Sequence, residues 1–301
     1  MSELSEKVKA SIARLRAFSP RDGGGYYLAF SGGKDSVVCK ALLDLAGVKY
    51  DAHYRVTSVD PPELVKFIKE KHPDVQREVP RYSQSLRDEK MRGKPKTMWN
   101  LIPIRRMPPT RVVRYCCEEL KEDGGDGRVT VTGVRWAESA NRKNNQGLVV
   151  IQGNFKGSEI EGQTSFLDPV EDRVINEKRG SLILTNDNEE NRRTLEHCFR
   201  RHKTTVNPII DWSDDEVWEF IKAEKIPYCG LYDEGFNRIG CIGCPMAGTD
   251  GREKEFSRWP KYKENYLRAF DRMLKAKKEN GLKTQYQSAQ EVFNWWMQYD
   301  K

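Results

Sequence analysis

The chain has 301 residues, of which 37% are hydrophobic and 32% are charged, and its formal net charge is +7 at pH 7. This length suits one large α/β domain or a core with a smaller companion, and it is too long for a bare peptide-binding module. No apolar run approaches the roughly 18 residues of a transmembrane helix, and the first residues lack the apolar stretch of a secretory signal. We therefore expect a cytoplasmic protein without a membrane span.

The first part of the chain predicts alternating strands and helices. Apolar residues at helical spacing predict a helix over 2–18, and a β-rich run at 26–30 leads directly into Ser-Gly-Gly-Lys-Asp-Ser at 31–36. A helix follows this sequence, and then come a strand over 48–56 and a helix over 63–71. A strand, a glycine turn, a helix and a strand form a βαβ unit. This unit predicts an α/β fold with a doubly wound parallel sheet.

The later part is less regular. Residues 129–133 and 182–184 predict strands, whereas 141–179 are polar, show no clear period and indicate a long insertion. Ser-Asp-Asp-Glu at 213–216 is a capping-box pattern that begins a helix. Two further helices are predicted near the end of the chain, over 253–278 and 288–297.

Seven cysteines occur, and four of them stand in two pairs. An odd count without a signal peptide argues against a disulfide framework and favours metal or redox chemistry. Cys241 and Cys244 form a Cys-x-x-Cys turn, a spacing that zinc and iron–sulfur sites share. Cys116 and Cys117 are adjacent, so their side chains diverge and suit a wide cluster better than one tetrahedral zinc. A cluster, zinc and free thiols all stay open on this evidence.

Residues 31–36 form a glycine loop between a strand and a helix, where backbone N–H groups and the helix dipole favour phosphate. The loop is not a Walker A motif, which would need glycine at Leu28 and Ser or Thr at Asp35. It resembles the PP-loop of the adenine-nucleotide α-hydrolase superfamily, which includes ATP pyrophosphatases, tRNA thiolation enzymes and phosphoadenosine phosphosulfate (PAPS) reductases. The resemblance implies a PP-loop, HUP-like fold. It also implies that the loop holds pyrophosphate while ATP is cleaved between its α and β phosphates.

Two later segments make the resemblance more specific. Residues 133–139 resemble the Gly-x-Arg-x-x-Glu-Ser segment of the PAPS reductase branch, in which the arginine meets an anionic group at the C-terminal edge of the sheet. Residues 207–218 resemble a second segment of that branch, although Glu216 stands where an Asp is expected. The tryptophans of this second segment are expected to pack in the core.

The resemblance implies roles for individual residues. Lys34 would neutralise the pyrophosphate, Asp35 would help to place Mg²⁺, and Arg135 would steady the α-phosphate during the reaction. The other residues implied to bind the nucleotide are Ser31, Gly32, Gly33, Ser36, Thr57 and Asp60.

The cysteine pairs resemble the [4Fe–4S] signature of the adenylylsulfate-reducing branch. This likeness implies a cluster, with zinc as the second choice, on Cys116, Cys117, Cys241 and Cys244. Two features depart from the reductases: no cysteine follows Cys244 to serve as their C-terminal nucleophile, and the full PP-loop sequence suits ATP. The candidate for a reactive thiol is then Cys198, whose basic neighbours would lower its pKa.

The leading hypothesis is an ATP pyrophosphatase that adenylates an acceptor and uses the cluster to insert sulfur into nucleic acid. Its partners would be an adenine nucleotide, DNA or tRNA, and a cysteine desulfurase or another sulfur donor, with a homodimer as one option. The alternatives are a PAPS or adenylylsulfate reductase and a non-catalytic nucleotide-binding module with structural zinc. Residues 1–205 would form the nucleotide-binding domain and 206–301 a Cys-x-x-Cys and helical region, whose aromatic residues we expect to be mostly buried.

Overall fold

The computed structural model describes residues 3–20, 23–85, 89–122, 124–125, 127–152, 173–176, 179, 181–185 and 203–298. The strands are β1 (Tyr26–Ala29), β2 (Tyr50–Arg55), β3 (Gln76–Glu78), β4 (Val129–Val131), β5 (Val149–Gln152), β6 (Arg173–Asn176), β7 (Ser181–Leu184) and β8 (Lys203–Val206). The α-helices are α1 (Glu3–Ala17), α2 (Lys34–Ala46), α3 (Pro62–Lys71), α4 (Met98–Arg105), α5 (Tyr115–Cys117), α6 (Ala140–Asn145), α7 (Asp214–Ala223), α8 (Gly248–Arg258), α9 (Pro260–Glu279) and α10 (Ala289–Gln298). None of the helices in these ranges is long and apolar enough to cross a membrane.

Within the described residues, the strands form one sheet of eight in the order β3-β2-β1-β4-β8-β5-β7-β6. β1 pairs in parallel with β2 and β4, and β4 pairs in parallel with β8. β5 pairs antiparallel with both β8 and β7, and β7 pairs antiparallel with β6. The predicted α/β class and the parallel centre are confirmed, whereas one side of the sheet is antiparallel and the sheet is therefore mixed.

The antiparallel side contains elements that the sequence analysis assigned to an insertion. α6, β5 and β6 lie within or across 141–179, a stretch in which the sequence shows no clear period, while 153–172 lie outside the described residues. β5 has three consecutive buried residues, and a strand covered on both faces shows no alternation for a periodicity search to detect. β8 escaped prediction because its sequence, Lys-Thr-Thr-Val, is mostly polar.

The predicted helix over 253–278 is in fact two helices. α8 ends at Arg258, and α9 begins at Pro260. Proline has no backbone N–H to continue a preceding helix, but its fixed φ suits the first position of a new one. The predicted helices over 2–18, 63–71 and 288–297 are confirmed as α1, α3 and α10.

The chain packs as two units, and each is built from several stretches of sequence. Unit 1 comprises Met1–Tyr54, Phe67–Gln76 and Gly125–Tyr232, and unit 2 comprises Arg55–Lys66, Arg77–Gly124 and Asp233–Lys301. Unit 1 contains most of the sheet together with α1, α2 and α7, whereas unit 2 contains α4, α5 and α8 to α10. The division of the chain at residue 205 stays a prediction about domain organisation.

The core of unit 2 is aromatic. Trp296, Tyr266 and Phe270 are each at most 1% exposed, and their rings lie 4.8 to 6.0 Å apart between centroids. The indole Nε1 of Trp296 donates to the carbonyl oxygen of Pro109 at 2.7 Å, which satisfies the polar atom of this buried ring. The expectation that most aromatic residues of the C-terminal region are buried is therefore confirmed for these rings.

One ion pair in unit 1 predicts a pH-dependent stability. Arg128 donates to Asp51 on β2 at 2.8 Å, and this bond, helped by His53 and opposed by burial, lowers the pKa of Asp51 from 3.8 to about 2. A lowered folded-state pKa contributes stability above the unfolded pKa and loses it as the pH falls through the folded one. Because the carboxylate is partly exposed, Asp51→Asn is expected to lower the free energy of unfolding by only about 1 kcal/mol at pH 7.

Urea denaturation of the wild type and Asp51→Asn checks this expectation. The difference between the two proteins should persist from neutral pH to about pH 4 and shrink as the pH falls through 2, where about half of the folded-state Asp51 is protonated. A difference that stays constant down to pH 2 would mean that packing rather than charge stabilises this position.

Candidate functional site

The glycine loop lies where the strand order of the sheet reverses. From β1 the chain passes to β2 and β3 on one side, and it later places β4 and β8 on the other. Ligands of open α/β sheets bind at the carboxyl ends of the strands at such a switch point. Ser31–Ser36 follow β1 and Gly133–Arg135 follow β4, so both segments stand at this edge of unit 1.

The loop leaves the N-terminus of α2 without a side-chain cap. Gly33 is the N-cap residue and makes no side-chain capping bond, while the backbone N–H of Lys34 donates to the hydroxyl of Tyr232 at 2.9 Å. The hydroxyl of Ser36 donates to the carbonyl oxygen of Gly33 at 2.8 Å, and that of Ser31 donates to Ser36 at 3.3 Å. Amide and hydroxyl groups at a helix N-terminus form a natural site for an anion.

Gly133 brings the segment after β4 into contact with the start of α2. A Cβ atom at Gly133 would lie 2.8 Å from the Cβ of Asp35 and 2.9 Å from its carbonyl carbon. No side chain fits this space without movement of the backbone. The close approach places Arg135 against Asp35, with its Nε donating to Oδ1 at 2.7 Å.

Four charged side chains form a compact group, here named the four-charge cluster: Lys34, Asp35, Arg135 and Asp214. Arg135 is 1% exposed and donates to Asp35, to Asp214 and to the carbonyl oxygen of Trp212. The ammonium of Lys34 lies 3.3 Å from Asp214 and 3.6 Å from Asp35. The cluster thus holds two cations and two carboxylates in direct contact at the anion site.

The ion pairs of the cluster favour the charged forms of Asp214 and Arg135. Burial raises the pKa of Asp214, but the hydrogen bond from Arg135 and the charge of Lys34 outweigh it, and the net shift is downward. Burial lowers the pKa of Arg135, but the charges of Asp35 and Asp214 outweigh it and raise this pKa. The carboxylates of Asp35 and Asp214 stand beside a site for phosphate and offer the oxygen ligands that Mg²⁺ prefers.

Sequence reasoning missed Asp214 and Tyr232. Asp214 opens α7, where Ser213 is the N-cap and Glu216 accepts from the N–H of Ser213 at 2.7 Å. The predicted capping box is confirmed. It was the sequence signal that could have pointed to Asp214, because a capping box fixes the position of the residue that follows the N-cap. Glu216 also pairs with Lys7 at 2.7 Å, so the residue that departs from the family pattern is engaged in capping and in an ion pair.

Unit 2 contains the Cys-x-x-Cys turn. The N–H of Cys244 donates to the carbonyl oxygen of Cys241 at 3.1 Å, and the N–H of Gly243 donates to the carboxylate of Glu255 at 2.7 Å. The thiol of Cys241 lies 3.6 Å from the hydroxyl of Thr57. The two backbone bonds close the turn and hold Gly243 against Glu255.

The second cysteine pair lies in the same unit. Cys116 and Cys117 end the short helix α5, whose first turn closes through a bond from the N–H of Cys117 to the carbonyl oxygen of Arg114 at 2.9 Å. A hydrogen bond from Cys116 lowers the pKa of Cys117 to about 6 and raises that of Cys116, on which the charges of Cys241 and Cys244 also act. The four predicted ligands therefore lie in one electrostatic neighbourhood.

Cysteine sulfur is a ligand that both zinc and iron–sulfur clusters use, so the chemistry of these four residues suits either group. In the part of the chain that the structure describes, no group of three or more His, Cys, Asp or Glu side chains is arranged to hold a metal ion. The assignment of a metal group to Cys116, Cys117, Cys241 and Cys244 stays a prediction.

The remaining predicted residues are divided between the two units. Thr57 and Asp60 lie in unit 2, where the N–H of Thr57 donates to Asp60 at 3.0 Å, whereas the other predicted nucleotide-binding residues lie in unit 1. Cys241, followed by Asp60, raises the pKa of Lys121, a residue that the sequence analysis did not single out. Cys198 lies outside the described residues.

The fold and the site define a class of protein: an α/β protein with a parallel sheet centre, in which a glycine loop suited to an anion follows the first strand. Residues 25–247 match the phosphoadenosine phosphosulfate reductase domain. The chain belongs to this family, whose members share the PP-loop fold.

Comparison with individual proteins gives local likenesses. The chain is 43% identical over 54 residues to an adenosine 5'-phosphosulfate reductase of Allochromatium vinosum, covering 18% of this chain and 21% of the reductase. It is 26% identical over 257 residues to an uncharacterised protein of Methanocaldococcus jannaschii, covering 81% of this chain and 41% of that protein. The chain thus spans less than half the length of these curated relatives. A PAPS reductase from Candida auris, solved as a phosphate complex, has a TM-score of 0.40 and 13% identity, covering 80% of this chain and 96% of that one.

Proposed function

We propose that this PAPS reductase-family protein binds ATP with Mg²⁺ and cleaves it between the α and β phosphates. The observation that carries the proposal is the four-charge cluster at the N-terminus of α2. Two carboxylates among the cations fit a ligand that arrives with its own divalent metal, as ATP does.

In this reaction an oxygen atom of the acceptor attacks the α phosphorus of ATP, and the bond from that phosphorus to the bridging oxygen breaks. Pyrophosphate leaves with the bridging oxygen and its electron pair, and AMP stays on the acceptor. Backbone N–H groups of Gly32 and Gly33, with Ser31 and Ser36, would hold the leaving pyrophosphate, and Lys34 would neutralise it. Asp35 and Asp214 would hold Mg²⁺.

Arg135 acts in this scheme first as a positioning residue. Its guanidinium donates to both carboxylates and to a backbone carbonyl group, so it fixes the cluster before the nucleotide binds. The donor hydrogens that these bonds leave over are available to an α-phosphate oxygen as negative charge develops.

We further propose that the adenylated acceptor is a nucleic acid and that sulfur replaces the activated oxygen. Hydrosulfide would attack the adenylated atom and form its bond to sulfur, the bond from that atom to the acceptor oxygen would break, and this oxygen would leave on AMP with the electron pair. Cys116, Cys117, Cys241 and Cys244 would hold a [4Fe–4S] cluster, with zinc as the second choice. When bound by these four cysteines, the cluster would supply electron transfer beside the sulfur donor.

Product analysis tests the first step. Anaerobically purified protein is incubated with [α-³²P]ATP, Mg²⁺ and either plasmid DNA or bulk tRNA. The proposal expects AMP or an AMP adduct together with pyrophosphate, in equal amounts. Formation of ADP and phosphate would overturn it.

A second candidate function is a sulfonucleotide reductase, which the family match and the likeness to an adenosine 5'-phosphosulfate reductase favour. This function predicts that the protein releases sulfite from PAPS or adenosine 5'-phosphosulfate in the presence of a thiol reductant. Sulfite release without ATP cleavage would select the reductase.

A further inference from the structure

Positive charge is concentrated in one short stretch of unit 2. Residues 89–114 contain eight Lys or Arg residues and one Glu, a formal charge of +7 that equals the net charge of the whole chain. The rest of the chain is therefore neutral on balance. The exposed basic residues of this stretch are Lys90, Arg92, Lys94, Arg105, Arg106, Arg111 and Arg114.

The loop after α4 displays an apolar tip between two of these arginines. Val112 is 81% exposed and stands between Arg111 and the exposed Val113, which Arg114 follows. The loop has a fixed form, because the N–H of Thr110 donates to the carbonyl oxygen of Val113 at 3.1 Å and the N–H of Val113 donates to the hydroxyl of Thr110 at 3.0 Å. A rigid loop that keeps a valine in water between cations is a contact surface rather than a mere connection.

A groove beside α4 offers a flat ring next to further arginines. It has a volume of about 580 Å³, and its lining includes Trp99, Arg268 and Arg272. Arg272 donates to the carbonyl oxygen of Trp99 at 2.6 Å, and the ring of Trp99 packs edge-on against Tyr266 at 5.2 Å between centroids. The indole ring is thereby held in place at the groove wall, where a planar group could stack on it.

These features run along one pair of packed helices and lead to a cysteine pair. α4 begins at the groove with Trp99 beside Arg272 of α9, and it ends where Arg106 donates to Asn280, just beyond α9, at 3.2 Å. The Arg111–Arg114 loop comes next, and the carbonyl oxygen of Arg114 closes the helical turn of Cys117. A ligand bound along this path would approach the cysteines.

We propose that this surface binds a polynucleotide strand through its phosphodiester backbone. The surface, here named the arginine surface, consists of Arg106, Arg111, Arg114, Arg268, Arg272 and Trp99. Guanidinium groups bind phosphate oxygens in pairs, and an aromatic ring beside them accepts an unpaired base. An anionic membrane would match the charge and the valine tip, but it would make no use of a ring in a groove. The inference rests on the proposed function, and it names the surface through which the acceptor binds.

Introduction of a negative charge at Val112 gives the sharpest test. Aspartate and asparagine side chains have the same shape, so Val112→Asp and Val112→Asn differ in charge. Neither substitution disturbs the core, because position 112 is 81% exposed. Binding of fluorescein-labelled 20-nucleotide single strands of DNA and of RNA is measured by anisotropy without ATP. Val112→Asp should bind at least about 5-fold more weakly than Val112→Asn in low salt, and the two should converge as salt rises.

A double variant tests the phosphate contacts. Arg106→Ala with Arg111→Ala should reduce the slope of log K against log salt concentration by about 1.4, because two contacts to a single strand are lost. The matched control is Lys69→Ala with Lys71→Ala, which removes two exposed charges from α3 and should leave the slope unchanged. Thermal unfolding of each variant confirms that it is folded.

Several results would overturn the inference. They are failure of the wild type to bind either strand, equal binding by the two Val112 variants, and binding to vesicles of anionic phospholipid with none to nucleic acid. Because the assay contains no ATP, its outcome is independent of the nucleotide reaction. A protein that forms AMP and pyrophosphate but binds no strand rejects this surface alone, and one that binds strands but does not cleave ATP rejects the proposed reaction alone.

Discussion

Replacement of Lys34 by methionine is expected to slow the formation of AMP and pyrophosphate by about 100- to 1,000-fold, the usual effect of removing one group that stabilises transition-state charge. The ammonium of Lys34 is 7% exposed and lies at the N-terminus of α2 within the four-charge cluster. Methionine keeps the length and apolar volume of the side chain and removes its charge. The initial rate of pyrophosphate release from ATP, measured at saturating Mg²⁺, checks the prediction.

Lys40→Met is the matched control for this experiment. Lys40 lies on the same helix, and its ammonium pairs with Asp74 at 3.0 Å, away from the cluster. The control removes the same charge from α2 and should leave the rate unchanged. If both variants cleave ATP as fast as the wild type, the loop does not contact the leaving group, and the proposed role of the loop in the reaction is wrong.

Replacement of Gly243 by alanine is expected to lower the free energy of unfolding by about 2–5 kcal/mol. Gly243 has a φ of +74°, and a Cβ atom there would lie 2.8 Å from Phe256, 2.9 Å from Tyr266 and 3.2 Å from Trp296. Alanine therefore combines left-handed backbone strain with overpacking of a rigid aromatic core. Urea denaturation followed by tryptophan fluorescence measures the loss.

Gly281→Ala separates the two contributions. Gly281 belongs to the same unit and has a φ of +66°, but a Cβ atom there would meet nothing within 4 Å. Its replacement should cost only the backbone strain, about 1–2 kcal/mol. Equal decreases in the free energy of unfolding at the two positions would show that the aromatic rings move to accommodate the new methyl group. Packing against these rings would then not fix the cysteine turn.

The sequence was most informative for elements that short stretches of residues determine by themselves. The strand before Ser31, the glycine loop and α2 each follow from short-range pattern, and the structure places Arg135 beside this loop as the motif implied. The Gly133–Arg135 segment was found from its own motif, although no spacing in the sequence states that Gly133 touches Asp35. That contact depends on the pairing of β1 with β4, which only the folded sheet creates.

Asp214 illustrates what local pattern cannot supply. As the first residue of α7 it reads as an ordinary acidic residue in a first turn, which the helix dipole favours in any helix. Its contact with Arg135 joins residues 79 positions apart in sequence. The antiparallel side of the sheet escaped prediction for a related reason. Short strands that are buried or polar throughout show no alternating pattern in their own sequence, and they form because they pair with the strands beside them.

The interleaved construction of the two units decides how the molecule can be dissected. Unit 2 draws on three separate stretches of the chain, so no single cut separates it from unit 1. A fragment beginning near residue 206 would contain Cys241 and Cys244 without Cys116, Cys117 or Thr57. Variants that test the proposed nucleotide reaction and the proposed sulfur chemistry separately must therefore be point substitutions in the intact polypeptide, because a deletion would remove residues of both units at once.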